Sequence, residues 1–188
     1  MMTELPSLHK APKEQANTAP WYAIKTFNCK ELDVKTFFTD RNIESFIPMV
    51  YSNVDHKKEK VNRHLVPAIH NLIFIQSALN QKQLASIIAK CQLPMSVYTK
   101  AESNEYSPIT EKEMAEIRLL CDPDYELARF VPRKQAEAKI GKQVKVVKGP
   151  FAGITGKLAR YKDEYFFIKT VFSMGVMIRI SRWYCEVL

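Results

Sequence analysis

An α+β fold in two parts is predicted by three observations. Between residues 21 and 121, short apolar runs of strand type alternate with segments of helical period. From residue 140 to 188, five short alternating runs follow one another with turn residues between them and no helical pattern. Between the two, residues 122–139 carry Asp122-Pro123, Val131-Pro132 and a charged R-K-Q-A-E-A-K run, which reads as a connection between domains. The first part is therefore expected to be a sheet flanked by helices. The second is expected to be a small five-stranded β-barrel, since strands this short bury a useful core only by curling round.

Residues 1–20 mix Lys, Glu, Pro, Ser and Asn without apolar period and end at Ala19-Pro20, the pattern of a disordered arm. Trp21-Tyr22-Ala23-Ile24-Lys25-Thr26 brings the aromatic and β-branched residues of a first strand. From about Lys30 to Asp40, Leu32, Val34, Phe37 and Phe38 recur at near-helical spacing, with Asn28 as the expected N-cap. Ile43-Glu44-Ser45-Phe46-Ile47-Pro48 reads as a second strand ending near its proline. D-H-K-K-E-K-V-N-R-H, from Asp55 to His64, is too charged for a core and is expected to be a loop or mobile hairpin.

Leu72-Ile73-Phe74-Ile75 is short and continuously apolar, as a buried central strand would be. Leu84, Ile87, Ile88 and Cys91 mark a second helix from Asn80, and Val97-Tyr98 another strand. A third helix is expected to start near Thr110, whose hydroxyl stands three residues before Glu113 and ahead of Met114, Ile117 and Leu120. The last five strands are placed at 143–148, 154–161, 165–171, 176–181 and 183–187, with turns at Lys162-Asp163-Glu164 and Phe172-Ser173-Met174-Gly175.

The stretch 141–156, G-K-Q-V-K-V-V-K-G-P-F-A-G-I-T-G, organises the second part. Val144 and Val146 alternate with Lys145 and Val147 until Gly149-Pro150 breaks the strand, and Gly149, Gly153 and Gly156 are three of the chain's five glycines. Strand, Gly149-Pro150-Phe151-Ala152-Gly153-x-x-Gly156, strand resembles the KOW motif of NusG-family transcription factors and several ribosomal proteins. The first part adds its own likeness. Trp21-Tyr22 on an opening strand, a helix, Phe46-Ile47-Pro48, a basic loop, Pro67 ahead of the apolar strand and a Ser-Pro-Ile-Thr-capped helix resemble the NusG N-terminal domain in the same order. The two likenesses together cover residues 21–188.

That resemblance implies an antiparallel sheet with helices over residues 21–121 and an SH3-like KOW barrel over 140–188. It further implies a factor that binds the clamp helices of RNA polymerase, suppresses pausing and termination, and touches non-template DNA or nascent RNA. The run Pro67-Ala68-Ile69-His70-Asn71-Leu72 departs from the Pro-Gly-Tyr of many members and is more similar to UpxY-type, RfaH-like antiterminators of polysaccharide operons. Trp21, Ala23, Phe46, Pro67, Ile69 and Phe74 become the candidates for polymerase contact, with core packing as the alternative for each; Trp21 and Ile69, flanking strand starts, are the ones expected to be exposed. Lys30, Arg41, Lys57, Lys58, Lys60 and Arg63 are the candidates for the nucleic acid, with solubility as their alternative. Phe172 occupies the turn that the family uses to contact a ribosomal protein or termination factor, but its neighbours Ser173-Met174-Gly175 replace the usual Gly-Arg. A general NusG-type factor and a ribosome-associated RNA-binding protein are the competing readings.

Charge and composition agree with a binding role. The chain carries a net charge of +8, and residues 139–188 alone hold ten Lys and Arg against three Asp and Glu, a balance that attracts nucleic acid through its phosphates. No apolar run approaches the roughly 20 residues that cross a bilayer, and there is no apolar leader, so a cytoplasmic monomer is expected. Cys29, Cys91, Cys121 and Cys185 stand far apart and form no C-x-x-C pair. His9, His56, His64 and His70 sit beside no nucleophile motif; Asp55, His64 and His70 lack metal-ligand spacing; and a G-x-x-x-x-G-K-[ST] loop is absent. No enzyme, cofactor or metal is expected.

Overall fold

The structure, a computed structural model, describes residues 19–51, 64–125, 128–171 and 174–188. The first part comprises β1 (Trp21–Thr26), α1 (Glu31–Thr39), β2 (Ser45–Phe46), β3 (Met49–Tyr51), β4 (Leu65–Pro67), β5 (Leu72–Gln76), α2 (Gln81–Ile88), β6 (Met95–Val97), β7 (Pro108–Ile109) and α3 (Glu111–Leu120). The second comprises β8 (Ala128–Pro132), α4 (Arg133–Ala138), β9 (Lys142–Val146), β10 (Thr155–Tyr161), β11 (Glu164–Val171), β12 (Met174–Arg179) and β13 (Cys185–Val187), with a 3-10 turn at Arg182–Tyr184.

The first sheet is antiparallel and runs β2-β5-β1-β6, with β7 also pairing β1. Side chains alternate across it with the two-residue period of a strand. Trp21, Ala23, Leu72 and Phe74 join Ile109, Met114, Ile117 and Leu120 of the α3 side, while Ile24, Ile73 and Ile75 join Val34, Phe38 and Leu84 of α1 and α2. With a layer on each face, every residue of β5 is buried, which is why its sequence is continuously apolar rather than alternating.

Capping chemistry fixes two of the helices. Asn80 accepts from the Gln83 amide while the Gln83 side chain accepts from the Asn80 amide, and Thr110 and Glu113 form the same reciprocal pair at α3. At α1 the expectation fails: Lys30, not Asn28, is the N-cap residue, with no side-chain cap bond. Asn28 and Cys29 instead take left-handed backbone at φ 58° and 52°, a conformation asparagine tolerates better than most residues.

The second sheet is antiparallel with six strands in the order β13-β9-β10-β11-β12-β8. Five of these are the strands expected from the sequence; the last of them, placed at 183–187, begins as the 3-10 turn and becomes β13 only at Cys185. Met174 and Gly175, expected in a turn, belong to β12. The sixth strand comes from the segment expected to be a plain connection. Within 122–139, β8 pairs β12 from Pro132 opposite Met174 to Ala128 opposite Ile178, and α4 lies on the sheet with Ala136 buried against Ala159, Phe166 and Ile168. Phe130-Val131, with Arg129 before it and Pro132 after it, is too short an apolar run to signal a strand; Gly175 supplies the partner surface, since a Cβ there would lie 2.1 Å from the Ala136 Cβ.

One continuous apolar cluster runs from the Trp21 face through α3 to Val144, Val146, Phe151, Phe167 and Val176. Lys169 of β11 reaches Glu116 of α3 at 3.3 Å, and both side chains are largely shielded. The C-terminal sheet thus packs on the α3 side of the first part.

Candidate functional site

Trp21 is held rather than displayed. It is 1% exposed, its Nε1 donates to Glu111 Oε2 at 2.6 Å, and the Arg118 guanidinium lies 4.6 Å from its ring centroid. Arg118 in turn pairs Glu111 at 2.7 Å and Glu44 at 3.4 Å. The side chain expected to be exposed is therefore closed over by α3, whose Glu111 and Arg118 hold the indole. Ala23 and Phe74, opposite each other in the β1–β5 register, are fully buried beneath the same helix.

Phe46, Pro67 and Ile69 behave differently. All three are half-buried, and Phe46 and Ile69 pack against the edge of the Trp21 cluster. Phe46 sits 6.3 Å from Phe74, centroid to centroid, on neighbouring strands. Pro67 ends β4, where the lack of an N–H matters least, and the Ala68 amide donates to the Pro48 carbonyl at 2.8 Å, tying the strip to β2 and β3. The structure therefore separates the six candidates into a buried layer, Trp21, Ala23 and Phe74, and a partly open rim, Phe46, Pro67 and Ile69.

The basic candidates divide likewise. Lys30 and Arg41 are exposed just beyond opposite ends of α1, roughly 16 Å apart at a helical rise of about 1.5 Å per residue. Lys30 pairs Asp33 at 3.0 Å, while Arg41 lies 3.7 Å over the Phe37 ring and donates to the Phe37 carbonyl. Lys57, Lys58, Lys60 and Arg63 lie outside the described residues, as does Phe172. The strands β3 and β4, paired from Met49 opposite Pro67 to Tyr51 opposite Leu65, flank that basic segment.

In the second part of the chain Gly149 and Gly153 have φ of 82° and 95°, the left-handed region that a side chain would strain. The turn closes through the Gly153 amide on the Val146 carbonyl at 2.8 Å, and Phe151 drops inward, 7% exposed, with its ring 5.0 Å from Tyr125. Next to it opens a groove of about 1190 Å³ whose lining includes Lys148, Tyr165, Arg182, Trp183 and Tyr184. Trp183 is 83% exposed. Trp183, expected within a strand, lies instead in the 3-10 turn as a surface aromatic, with Arg182 beside it as the signal in the sequence.

Among the described residues no helix is long and apolar enough to cross a membrane. A search of curated proteins found no match to the chain. The family profile described as transcription termination factor nusG matches residues 19–118, more than half of the chain and all of β1 through most of α3. Members of that family are transcription factors, not enzymes, and RNA polymerase binding is what membership implies. The chain belongs to the NusG family.

Proposed function

We propose that this chain is a specialised antitermination factor, of the UpxY or RfaH-like kind, acting in the cytoplasm on polysaccharide operons. The rim formed by Phe46, Pro67 and Ile69 is its docking strip for the polymerase clamp helices. The observation that carries this is the half-buried apolar rim at the edge of a family-matched sheet, where a helical partner could bury it against residues already fixed by the core. Trp21, Ala23 and Phe74 act beneath it as the rigid floor. Lys30, Arg41 and the basic segment carrying Lys57, Lys58, Lys60 and Arg63 follow the non-template strand by phosphate contacts, which position without reading sequence.

Residues 140–188 act as a KOW module, with Gly149, Pro150, Phe151, Gly153 and Gly156 shaping its turn. Phe172 is its contact for a ribosomal protein. Suppression of pausing follows if the strip binds the elongating polymerase better than the paused one, and a tenfold shift between those states needs about 1.4 kcal/mol of differential affinity. The test is in vitro transcription across a pause and an intrinsic terminator with the purified chain and its Ile69→Asp variant. The wild type should shorten the pause and raise read-through, and the variant should do neither. Structured RNA binding by the chain with no effect on polymerase would replace this reading with the ribosomal one.

A further inference from the structure

Two turns far apart in sequence meet beside the first sheet, one running from β1 into α1 and the other from β4 into β5. Asn71 joins them. Its backbone carbonyl accepts from the Thr26 amide at 3.1 Å, its side-chain Oδ1 accepts from the Cys29 amide at 3.0 Å, and its own amide donates to Glu31 Oε1. This brings Cys29 Sγ, a Glu31 carboxylate oxygen and a His70 ring nitrogen within 4.8 Å of one another.

The three differ in burial. Glu31 is 1% exposed, whereas Cys29 and His70 face solvent. A buried carboxylate is costly unless a cation or several donors compensate it. Among the described residues no ion pair includes Glu31, and the neighbouring Lys30 is turned to Asp33 instead. The Asn71 amide and the N-terminus of α1 account for one side of the carboxylate. They give no reason for a thiol and an imidazole to converge on it.

We propose that Cys29, Glu31 and His70 form a zinc site. Thiolate, imidazole and carboxylate together are a donor set that suits a borderline ion; magnesium and calcium prefer oxygen alone. Ligand atoms around a tetrahedral zinc stand about 3.5 Å apart, given bond lengths of about 2.0–2.3 Å. Rotation of the two exposed side chains toward the buried, fixed Glu31 closes the remaining distance. Binding releases the Cys29 thiol proton to solvent and leaves a fourth position for water or a partner's donor. The ion clasps the turn after β1 to the turn before β5, one residue from Ile69. No spacing signal marks the site in the chain, because Cys29 and Glu31 are two residues apart and His70 comes from another turn.

The test uses the full chain, reduced and stripped with a chelator, titrated with cobalt(II) as a spectroscopic stand-in and then with zinc. One equivalent of cobalt should produce a thiolate-to-cobalt charge-transfer band with tetrahedral d–d absorption, and zinc should bleach both. Cys29→Ser should abolish the charge-transfer band. His70→Ala should weaken zinc binding by more than about 100-fold, above what loss of an outer-sphere partner costs. Both residues are exposed, so near-ultraviolet circular dichroism of the variants should match wild type. Absence of the band, or a band that persists in Cys29→Ser, overturns the site and leaves Glu31 as a helix-end anchor only.

Discussion

Trp21→Phe tests whether the opening tryptophan is floor or contact. The substitution removes the indole N–H that donates to Glu111 at 2.6 Å and reduces the ring beneath Arg118. A hydrogen bond to a charged acceptor contributes about 1.5–3 kcal/mol; Glu111 is half exposed and keeps Arg118, so water recovers part of this and about 1 kcal/mol remains. The smaller ring leaves space in a site that is 1% exposed. Full truncation of a buried tryptophan to alanine costs about 3–5 kcal/mol, so shrinking it to a phenyl ring should cost about 1–2 kcal/mol. The sum, about 2–3 kcal/mol, should appear as a lower urea midpoint with an unchanged slope. Glu111→Gln should cost less alone, and the double variant should lose less than the two singles together, because both remove the same bond. A Trp21→Phe variant as stable as wild type but unable to bind polymerase would refute the assignment of Trp21 to the floor.

Other elements make separate predictions. Gly175→Ala should destabilise by about 1–3 kcal/mol, the usual cost of overpacking, since its new Cβ would sit 2.1 Å from that of Ala136; adding Ala136→Gly should restore part of the loss in the same urea titration. Thr110→Ala should cost about 1 kcal/mol by removing the cap of α3. Bonds from the Thr110 backbone and hydroxyl hold the Glu113 carboxyl below its ordinary pKa. Its contribution should therefore be present above the ordinary glutamate pKa and fade as the pH falls through the lowered one, so that wild type and Glu113→Gln converge in acid. Burial pushes the Cys121 thiol up to about 12, so a thiol reagent at mildly alkaline pH should label the exposed Cys29 of the chelator-treated native protein and reach Cys121 only on unfolding.

The fold was legible in the sequence wherever one local signal sufficed. Leu72 to Ile75 announced a doubly covered strand, Thr110 with Glu113 announced the start of α3, and Gly149 to Gly156 announced the turn between β9 and β10. What escaped depended on distant partners. Strand β8 exists because β12 offers it an edge and Gly175 offers α4 a bed, and neither can be read from 122–139 itself. Burial misled in the same way: Trp21 flanks a strand start, but α3, ninety residues on, folds over it through Glu111 and Arg118. The candidate strip was half visible, as six apolar positions whose division into floor and rim required the third helix. The meeting of Cys29, Glu31 and His70 was not visible at all, because Asn71 creates it across two turns.

The most direct measurement is the affinity of the full chain for core RNA polymerase, read by fluorescence anisotropy for wild type, Ile69→Asp and Pro67→Asp, with stability checked for each. Wild type should bind saturably, and each rim variant, folded as wild type, should lose at least about tenfold, or about 1.4 kcal/mol. Equal binding by all three would contradict the Phe46–Pro67–Ile69 docking strip, and no binding by the wild type would contradict the polymerase-directed account altogether.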